Sequence, residues 1–217
     1  MSTMIPENVI ETNKETFCTF LRQIRRDGAR IDDLIKKLEN SDFFYAPAST
    51  KYHDSVKGGL CDHSLNVYYN LRSLVRNKHL EDKISEDSII ICGLLHDMSK
   101  MNIYEKSIRN EKVYSEYGTK HDNMGNFDWV AKETYKMKDA QNRFLYGNHE
   151  ETAEYMVRTY IPLKLEESIA ILNHHGSTSY DCVPIESVAP KFEKYPLAAL
   201  LHVADMISIY VDEGVYE

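Results

Sequence analysis

The residues best suited to chemistry in this chain are its 9 histidines, because neutral imidazole is the commonest metal ligand in proteins. His-Asp pairs occur at 53–54, 96–97 and 121–122, so the dipeptide alone is a weak signal. The pair His96-Asp97 differs from the others because it ends an apolar run that starts with three isoleucines at 89–91. Ionisable groups are costly to bury unless they are paired or bind a metal. This pair therefore indicates a metal site at the end of a buried helix.

Two more ionisable residues fall on apolar helix faces. His63 lies three residues after Leu60, and Asp205 lies four residues after Leu201. An unpaired carboxylate in such a position would destabilise the fold. With the 96–97 pair they give two imidazoles and two carboxylates. This mixed donor set suits one or two divalent ions of Mn, Fe, Ni, Co or Zn, and the donor types do not choose among these metals.

The order of these donors resembles the H...HD...D pattern of the HD-domain metal-dependent phosphohydrolase superfamily. Around the donors, four segments are similar to signatures of that superfamily: ASTKYH at 48–53, GGLCDHSLNV at 58–67, LLHDMSK at 94–100 and LHVADM at 201–206. The resemblance covers about residues 43 to 213 and leaves the first 40 unmatched. It implies a helical fold.

Some branches of the superfamily hold two metals and supply further histidines between the HD pair and the last Asp. The resemblance therefore implies a binuclear-like H...HD...H...HH...D pattern, in which Asp97 bridges both ions. His149 stands one residue later than the pattern expects, because Asn148 separates it from Gly147. The implied metal ligands are His63, His96, Asp97, His149, His174 and Asp205.

The activity that the resemblance implies is hydrolysis of a phosphoester bond by metal-activated water. Asp97, Lys100 and His175 are the implied catalytic residues. Lys100 would bind a phosphate oxygen, and His53 and His175 would contact the phosphate or protonate the leaving group. Lys100 also has a structural interpretation, since a lysine at a helix C-terminus is favoured by the helix dipole.

Several functions share this donor set. The first is a hydrolase of a small phosphorylated substrate, with a nucleotide as the first choice. The others are a 3'-5' exoribonuclease or cyclic-dinucleotide phosphodiesterase, a di-iron HD-type oxygenase, and a non-catalytic metal-binding module. The formal net charge of -8 disfavours long nucleic acid as a partner, because single-strand tracks are basic.

Apolar residues at three- and four-residue spacings predict the helices that must position the donors. Two helices are expected over 12–38, with a break near Gly28, followed by helices at 60–75 and from Ser85 to the 96–97 pair. Between 101 and 146 tyrosines alternate with charges, which predicts an inserted β-hairpin or lid. The predicted fold is all-α: one HD-domain-like helical bundle over 1–217, with N-terminal helices in 1–42.

Composition places the chain among globular proteins, since 42% of its residues are hydrophobic. The four cysteines are far apart, and Cys61 and Cys92 lie in apolar segments, which favours reduced thiols. A signal-peptide pattern and a run of 18 apolar residues are both absent from the sequence. These features predict a cytoplasmic protein that does not span a membrane.

The remaining histidines, His79, His121 and His202, are assigned structural or solvated positions. Aromatic residues of the 101–146 insertion could stack a nucleotide base, but ordinary cross-strand pairing is the favoured interpretation. They are Tyr104, Tyr114, Tyr117, Phe127, Trp129 and Tyr135.

Overall fold

The computed structural model describes residues 4–50, 54–144, 146–178 and 184–213, and over these ranges the chain is mostly helical. The described helices are α1 (Glu7–Leu21), α2 (Ile31–Glu39), α3 (Gly59–Asn77), α4 (Glu86–Leu95), α5 (His149–Tyr160), α6 (Leu165–Leu172), α7 (Ile185–Lys194) and α8 (Pro196–Ile207). A three-stranded antiparallel sheet stands between α4 and α5. The helical prediction is confirmed at this level.

Helix α4 is the centre of the core, and every residue from 88 to 95 is buried. The hydroxyl of Ser85 caps its first turn by accepting a hydrogen bond from the Ser88 amide. Gly93 permits a close approach to α3, since a Cβ at this position would lie 2.7 Å from the Cα of Tyr68. Helix α3 in turn packs on α8. The elements that carry the predicted donors therefore meet around α4.

The N-terminal helices belong to this core. Helix α1 ends at Leu21 and α2 begins at Ile31, so the predicted break is confirmed, and Gly28 adopts a left-handed φ of 77° within it. The Phe17 ring lies 5.1 Å from that of Phe43, in an edge-on arrangement. Helix α1 thus packs on α3 and α4, and α2 packs on α1 and α5.

The sheet comprises β1 (Tyr104–Tyr114), β2 (Lys120–Asp122) and β3 (Gly125–Met137), in the order β1-β3-β2. Strands β1 and β3 form the predicted hairpin, with Tyr104 opposite Met137 and Tyr114 opposite Phe127, and β2 adds a third strand. Phe127 packs against both Tyr114 and Trp129, with ring centroids 5.7 and 5.9 Å away. These contacts are the cross-strand and same-face pairs that a structural role predicts.

The cysteines agree with the expectation of reduced thiols within the described residues. Cys18, Cys61 and Cys92 are buried and free, whereas Cys182 lies outside those residues. None of the described helices combines the length and the apolar character needed to cross a membrane.

Candidate metal centre

Three helices bring the first four predicted donors into one buried cluster. His63 lies on the buried face of α3, the pair His96-Asp97 directly follows α4, and Asp205 lies in α8. Their exposed fractions are 0% for both histidines, 1% for Asp97 and 2% for Asp205. We call His63, His96, Asp205 and the Oδ2 atom of Asp97 the inner group.

The ligand atoms of the inner group converge. His63 Nε2 lies 3.2 Å from Asp205 Oδ1 and 3.6 Å from Asp97 Oδ2. His96 Nε2 lies 3.5 Å from the same Asp97 oxygen and 3.9 Å from Asp205 Oδ1. Two imidazoles and two carboxylates from three separate segments of the chain therefore face one small volume.

A second set of imidazoles lies on the other side of Asp97. His149 Nε2 is 3.7 Å and His174 Nε2 is 3.6 Å from Asp97 Oδ1. We call His149, His174 and this oxygen the outer group. Ligand atoms of His149, His174 and His175 lie within 4.8 Å of one another, so His175 is a further candidate ligand beside the outer group.

Asp97 thus belongs to both groups, with Oδ2 directed at the inner group and Oδ1 at the outer one. Its position immediately after α4 explains this, because the buried helix end holds the carboxylate between α3 and the start of α5. The arrangement is compatible with a bridging carboxylate.

The delayed position of His149 in the sequence has a local cause. Asn148 is the N-cap of α5 and accepts a hydrogen bond from the Glu151 amide, while the Glu151 side chain accepts one from the Asn148 amide. Gly147 has a φ of 74°, and a side chain at this position would collide with the Glu151 carboxylate. The additional residue is therefore a helix cap, and His149 still faces Asp97 as the first residue of the helix.

The histidines are oriented through their Nδ1 atoms. His96 donates from Nδ1 to the Gly93 carbonyl at 3.0 Å, and His174 donates to the Ile171 carbonyl at 2.7 Å. His63 contacts the Glu213 carboxylate through Nδ1, at 3.0 Å. In His96 and His174, a proton held on Nδ1 leaves the Nε2 lone pair directed into the cluster, as a metal ligand requires.

Several buried ligand atoms of the cluster have no hydrogen-bond partner in the part of the chain that the structure describes. Nε2 of His96, His149 and His174 and Oδ1 of Asp97 are buried and have no hydrogen-bond partner among the described residues. Buried polar atoms are normally satisfied, and each exception needs an explanation. Imidazole nitrogens and carboxylate oxygens that point at one another across 3.5 to 3.9 Å suit a divalent transition ion placed between them. The residues present therefore fit a metal centre.

Electrostatics give His174 and the two carboxylates the charge states that metal ligands need. Burial and the neighbouring His175 lower the pKa of His174 to about 4, so this imidazole is neutral at pH 7. Although burial opposes ionisation, Lys100 and His96 hold the pKa of Asp97 well below its usual value. The pKa of Asp205 is also lowered against the effect of burial, chiefly by His63. Both carboxylates are therefore ionised. His63 differs: although burial opposes its charge, Glu213, Asp205 and Asp97 raise its pKa well above the ordinary value, so a metal would have to displace a proton there.

The predicted catalytic and substrate residues stand around this cluster. Lys100 Nζ lies 2.7 Å from Asp97 Oδ2, with 14% of its side chain exposed. His175 Nε2 lies 4.0 Å from Asp205 Oδ2, and its side chain is 24% exposed. His149 is similarly exposed, at 26%, although its Nε2 atom is buried, so His149 and His175 are the partly exposed imidazoles at this centre. His53 lies outside the described residues.

The three histidines assigned no chemistry occupy other positions. His79 is exposed after α3, and His121 is exposed in β2. His202 lies in α8 and donates from Nδ1 to the backbone carbonyl of His174, at 2.7 Å. This hydrogen bond fixes the backbone of His174, a member of the outer group.

Sequence reasoning missed two carboxylates at this centre. Glu213 contacts His63 as described, and Glu150 contacts both His149 and His175. Glu150 had a sequence signal, because it directly follows His149, but an acidic residue in a first helical turn is also the common pattern. Glu213 had none, because 150 positions separate it from His63.

A third carboxylate, Asp54, lies half-buried near the inner group, just before α3. Burial raises its pKa to about 7, and the carboxylates of Glu213 and Asp62 add to the effect. Its backbone is left-handed, with a φ of 41°. Because the folded state binds this proton up to about pH 7 and the unfolded state releases it near the ordinary value of 3.8, Asp54 disfavours folding increasingly as the pH rises across that interval.

We expect Asp54→Asn to raise the melting temperature of the metal-free protein more at pH 8 than at pH 5. The amide carries no charge at either pH, and Asn is well tolerated in the left-handed region. Thermal unfolding followed by circular dichroism at both pH values tests this. Asp82→Asn, at an exposed position, should give a shift that does not depend on pH. An equal shift for Asp54→Asn at both values would contradict the prediction.

No protein-family model, curated protein or solved structure matches this chain. The metal-centre assignment therefore depends on the geometry described above, and the resemblance to HD-domain proteins remains an expectation.

Proposed function

We propose that this protein is a metal-dependent hydrolase of a phosphoester bond in a small phosphorylated substrate, with a nucleotide as the first candidate. The observation that carries the proposal is the sharing of Asp97 between two groups of inward-facing imidazoles, with Lys100 beside it. Divalent ions held there would polarise the phosphoryl oxygens and lower the pKa of a water molecule. Mn, Fe, Ni, Co and Zn all suit the donors.

Lys100 is the residue proposed to bind the substrate phosphate. Burial opposes its charge, but Asp97 raises the pKa of Lys100 above its ordinary value, so the ammonium is retained. A fixed positive charge at a phosphoryl oxygen stabilises the charge that develops in the transition state. The short contact with Asp97 keeps the Nζ atom at the edge of the inner group.

His175 is the residue proposed to protonate the leaving oxygen. Its Nδ1 lies 3.0 Å from Glu150 Oε1, which orients the ring, and its side chain is partly exposed. Because Glu150 holds the Nδ1–H, His175 acts as an acid only with a second proton on Nε2, and that proton would pass to the oxygen that leaves when the phosphorus–oxygen bond breaks.

Room for the organic part of a substrate exists near the base of the sheet. A cavity of about 820 Å³ is lined there by Tyr45, Lys57, Tyr104, Lys106 and Tyr135, among others. Of the described residues that line this cavity, Tyr104 interacts electrostatically with Lys100, and none belongs to the inner or the outer group. The lining also holds Glu7, Asp42, Glu105 and Glu133, and both lysines are paired with carboxylates. The described lining therefore offers aromatic surface for an organic group but no further phosphate contact.

The test combines metal content with a substrate screen on the full chain. Elemental analysis of the purified protein identifies the bound metal, and the protein loaded in turn with each of the five metals is assayed on mono-, di- and cyclic nucleotides and on simple phosphomonoesters. We expect metal-dependent release of phosphate or of a ring-opened nucleotide. If no phosphoester is hydrolysed by any loaded form, the proposal is wrong.

Lys100→Met tests whether the metal centre is catalytic, because activity and metal content can be measured on the same variant. We expect this variant to keep its metal content and to lose about a hundredfold in kcat/KM, because one stabilising charge is removed. Lys83→Met, at an exposed loop position, is the matched control and should behave as wild type. Full activity of Lys100→Met would contradict the role given to Lys100.

A further inference from the structure

Glu150 is a buried carboxylate whose two oxygens contact two different imidazoles. Oε2 lies 3.0 Å from His149 Nδ1, and Oε1 lies 3.0 Å from His175 Nδ1. The residue is 3% exposed. An ionised carboxylate is retained at such depth when hydrogen bonds and opposite charge compensate its lost hydration.

Both oxygens of Glu150 are engaged by Nδ1 atoms, so the residue is placed behind the ligands rather than among them. A carboxylate can only accept hydrogen bonds, so the bond to Glu150 places a proton on Nδ1 of His175. The 3.0 Å ion-pair distance to Oε2 favours a proton on Nδ1 of His149 as well. This leaves His149 with its Nε2 lone pair toward Asp97 Oδ1, 3.7 Å away. The other imidazoles obtain the same orientation in a different way: His96 and His174 use backbone carbonyls, and His63 uses Glu213.

We infer that Glu150 is a positioning residue that sets the metal affinity of the outer group, by fixing the tautomer and the ring orientation of His149 and His175 together. The inference rests on the proposed function only in requiring that the outer group binds a metal. Glu213 is the corresponding residue of the inner group, since it contacts His63 and not the outer histidines in the described contacts. The two carboxylates should therefore control the two groups separately.

Glu150→Gln isolates this role with little change in volume. Glutamine offers one carbonyl oxygen and one amide that donates, so it can accept from one Nδ1–H and must confront the other ring with a donor. One imidazole is then driven to carry its proton on Nε2, where a metal has to bind. Loss of an orienting partner of this kind lowers metal affinity about 10- to 100-fold.

The experiment measures metal binding and tautomers in four full-length proteins: wild type, Glu150→Gln, Glu213→Gln and Glu151→Gln. Glu151→Gln is the matched control, because it makes the same change one residue further along α5 and glutamine can maintain the capping box. Titration with Co²⁺, followed by its absorption spectrum and by elemental analysis after dialysis, gives the affinity and number of bound ions. Proton–nitrogen NMR correlations of the metal-free proteins report which ring nitrogen of each histidine is protonated.

We expect Glu150→Gln to weaken one of two bound ions about 10- to 100-fold and to change a tautomer among the outer histidines, while the other ion is retained. Glu213→Gln should weaken the other ion, and Glu151→Gln should match wild type. If Glu150→Gln binds both ions as wild type does, or loses both equally, the inference is overturned. If wild type itself binds no metal, the proposed function fails as well, and that outcome is distinct from the first two.

Discussion

We expect Asp97→Asn to lose metal binding at both groups and to reduce phosphoester hydrolysis more than about a hundredfold. Asp97 is the carboxylate whose Oδ2 lies 3.5 Å from His96 Nε2 and whose Oδ1 lies 3.6 Å from His174 Nε2. Asparagine has nearly the same shape but presents one neutral oxygen and one donor. It therefore turns an amide group toward one set of imidazoles and removes the negative charge from both.

Asp205→Asn is the control that makes this prediction specific. Asp205 Oδ1 approaches His63 and His96 of the inner group, so its amide variant should weaken one ion and retain the other. Elemental analysis and Co²⁺ titration count the ions, and circular dichroism confirms that each variant is folded. If folded Asp97→Asn still bound two ions with wild-type affinity, the shared-carboxylate assignment would be wrong.

The largest stability effect should come from Arg26→Met, which we expect to destabilise the fold by about 3–5 kcal/mol. The guanidinium of Arg26 binds Glu167 with both terminal nitrogens, at 2.5 and 2.7 Å, and Glu167 is fully buried. Ser88 and the Lys164 amide donate to the same carboxylate. Removing Arg26 leaves a buried charge without its counter-ion, in a protein whose total stability is on the order of 5–15 kcal/mol.

Glu167→Gln should destabilise the fold less than Arg26→Met. The difference between the two variants tests whether the unpaired buried charge causes the loss of stability. Glu167→Gln leaves no buried negative charge, and the Arg26 side chain, which is 12% exposed, can remain near the surface. Urea unfolding followed by circular dichroism should give a lower free energy of unfolding for Arg26→Met than for Glu167→Gln. Arg25→Met should stay close to wild type, because that side chain is exposed. Equal destabilisation by the first two variants would show that lost packing, rather than the buried charge, dominates.

The sequence predicted the donors well where a ligand-type residue falls at helical spacing among apolar residues. His63 and Asp205 stand at helical spacing among apolar residues, so burial of their side chains could be predicted before their neighbours were known. The alternation of aromatic and charged residues within 101–146 predicted strands, and the strands that form lie at 104–137. The third strand β2 was not predicted, because a segment as short as Lys120–Asp122 has too few residues to show a period.

The orienting carboxylates could not be predicted in this way. Glu213 comes from the end of the chain and Glu150 from the first turn of α5, and neither has a spacing relation to the ring that it contacts. The effect of Gly147 and Asn148 on His149 was equally hidden, because a capping box that shifts a helix start by one residue is recognised only once the backbone is known.

By itself, therefore, the sequence determined which side chains are ligand types and which helix faces bury them, since both follow from local periodicity. Only the tertiary structure decided that Asp97 faces two groups of imidazoles, one through each oxygen. That outcome depends on how closely α3, α4, α5 and α8 pack, and on Nδ1 partners that lie far away along the chain. Distances of this kind are set by non-local contacts, which no single segment of sequence encodes.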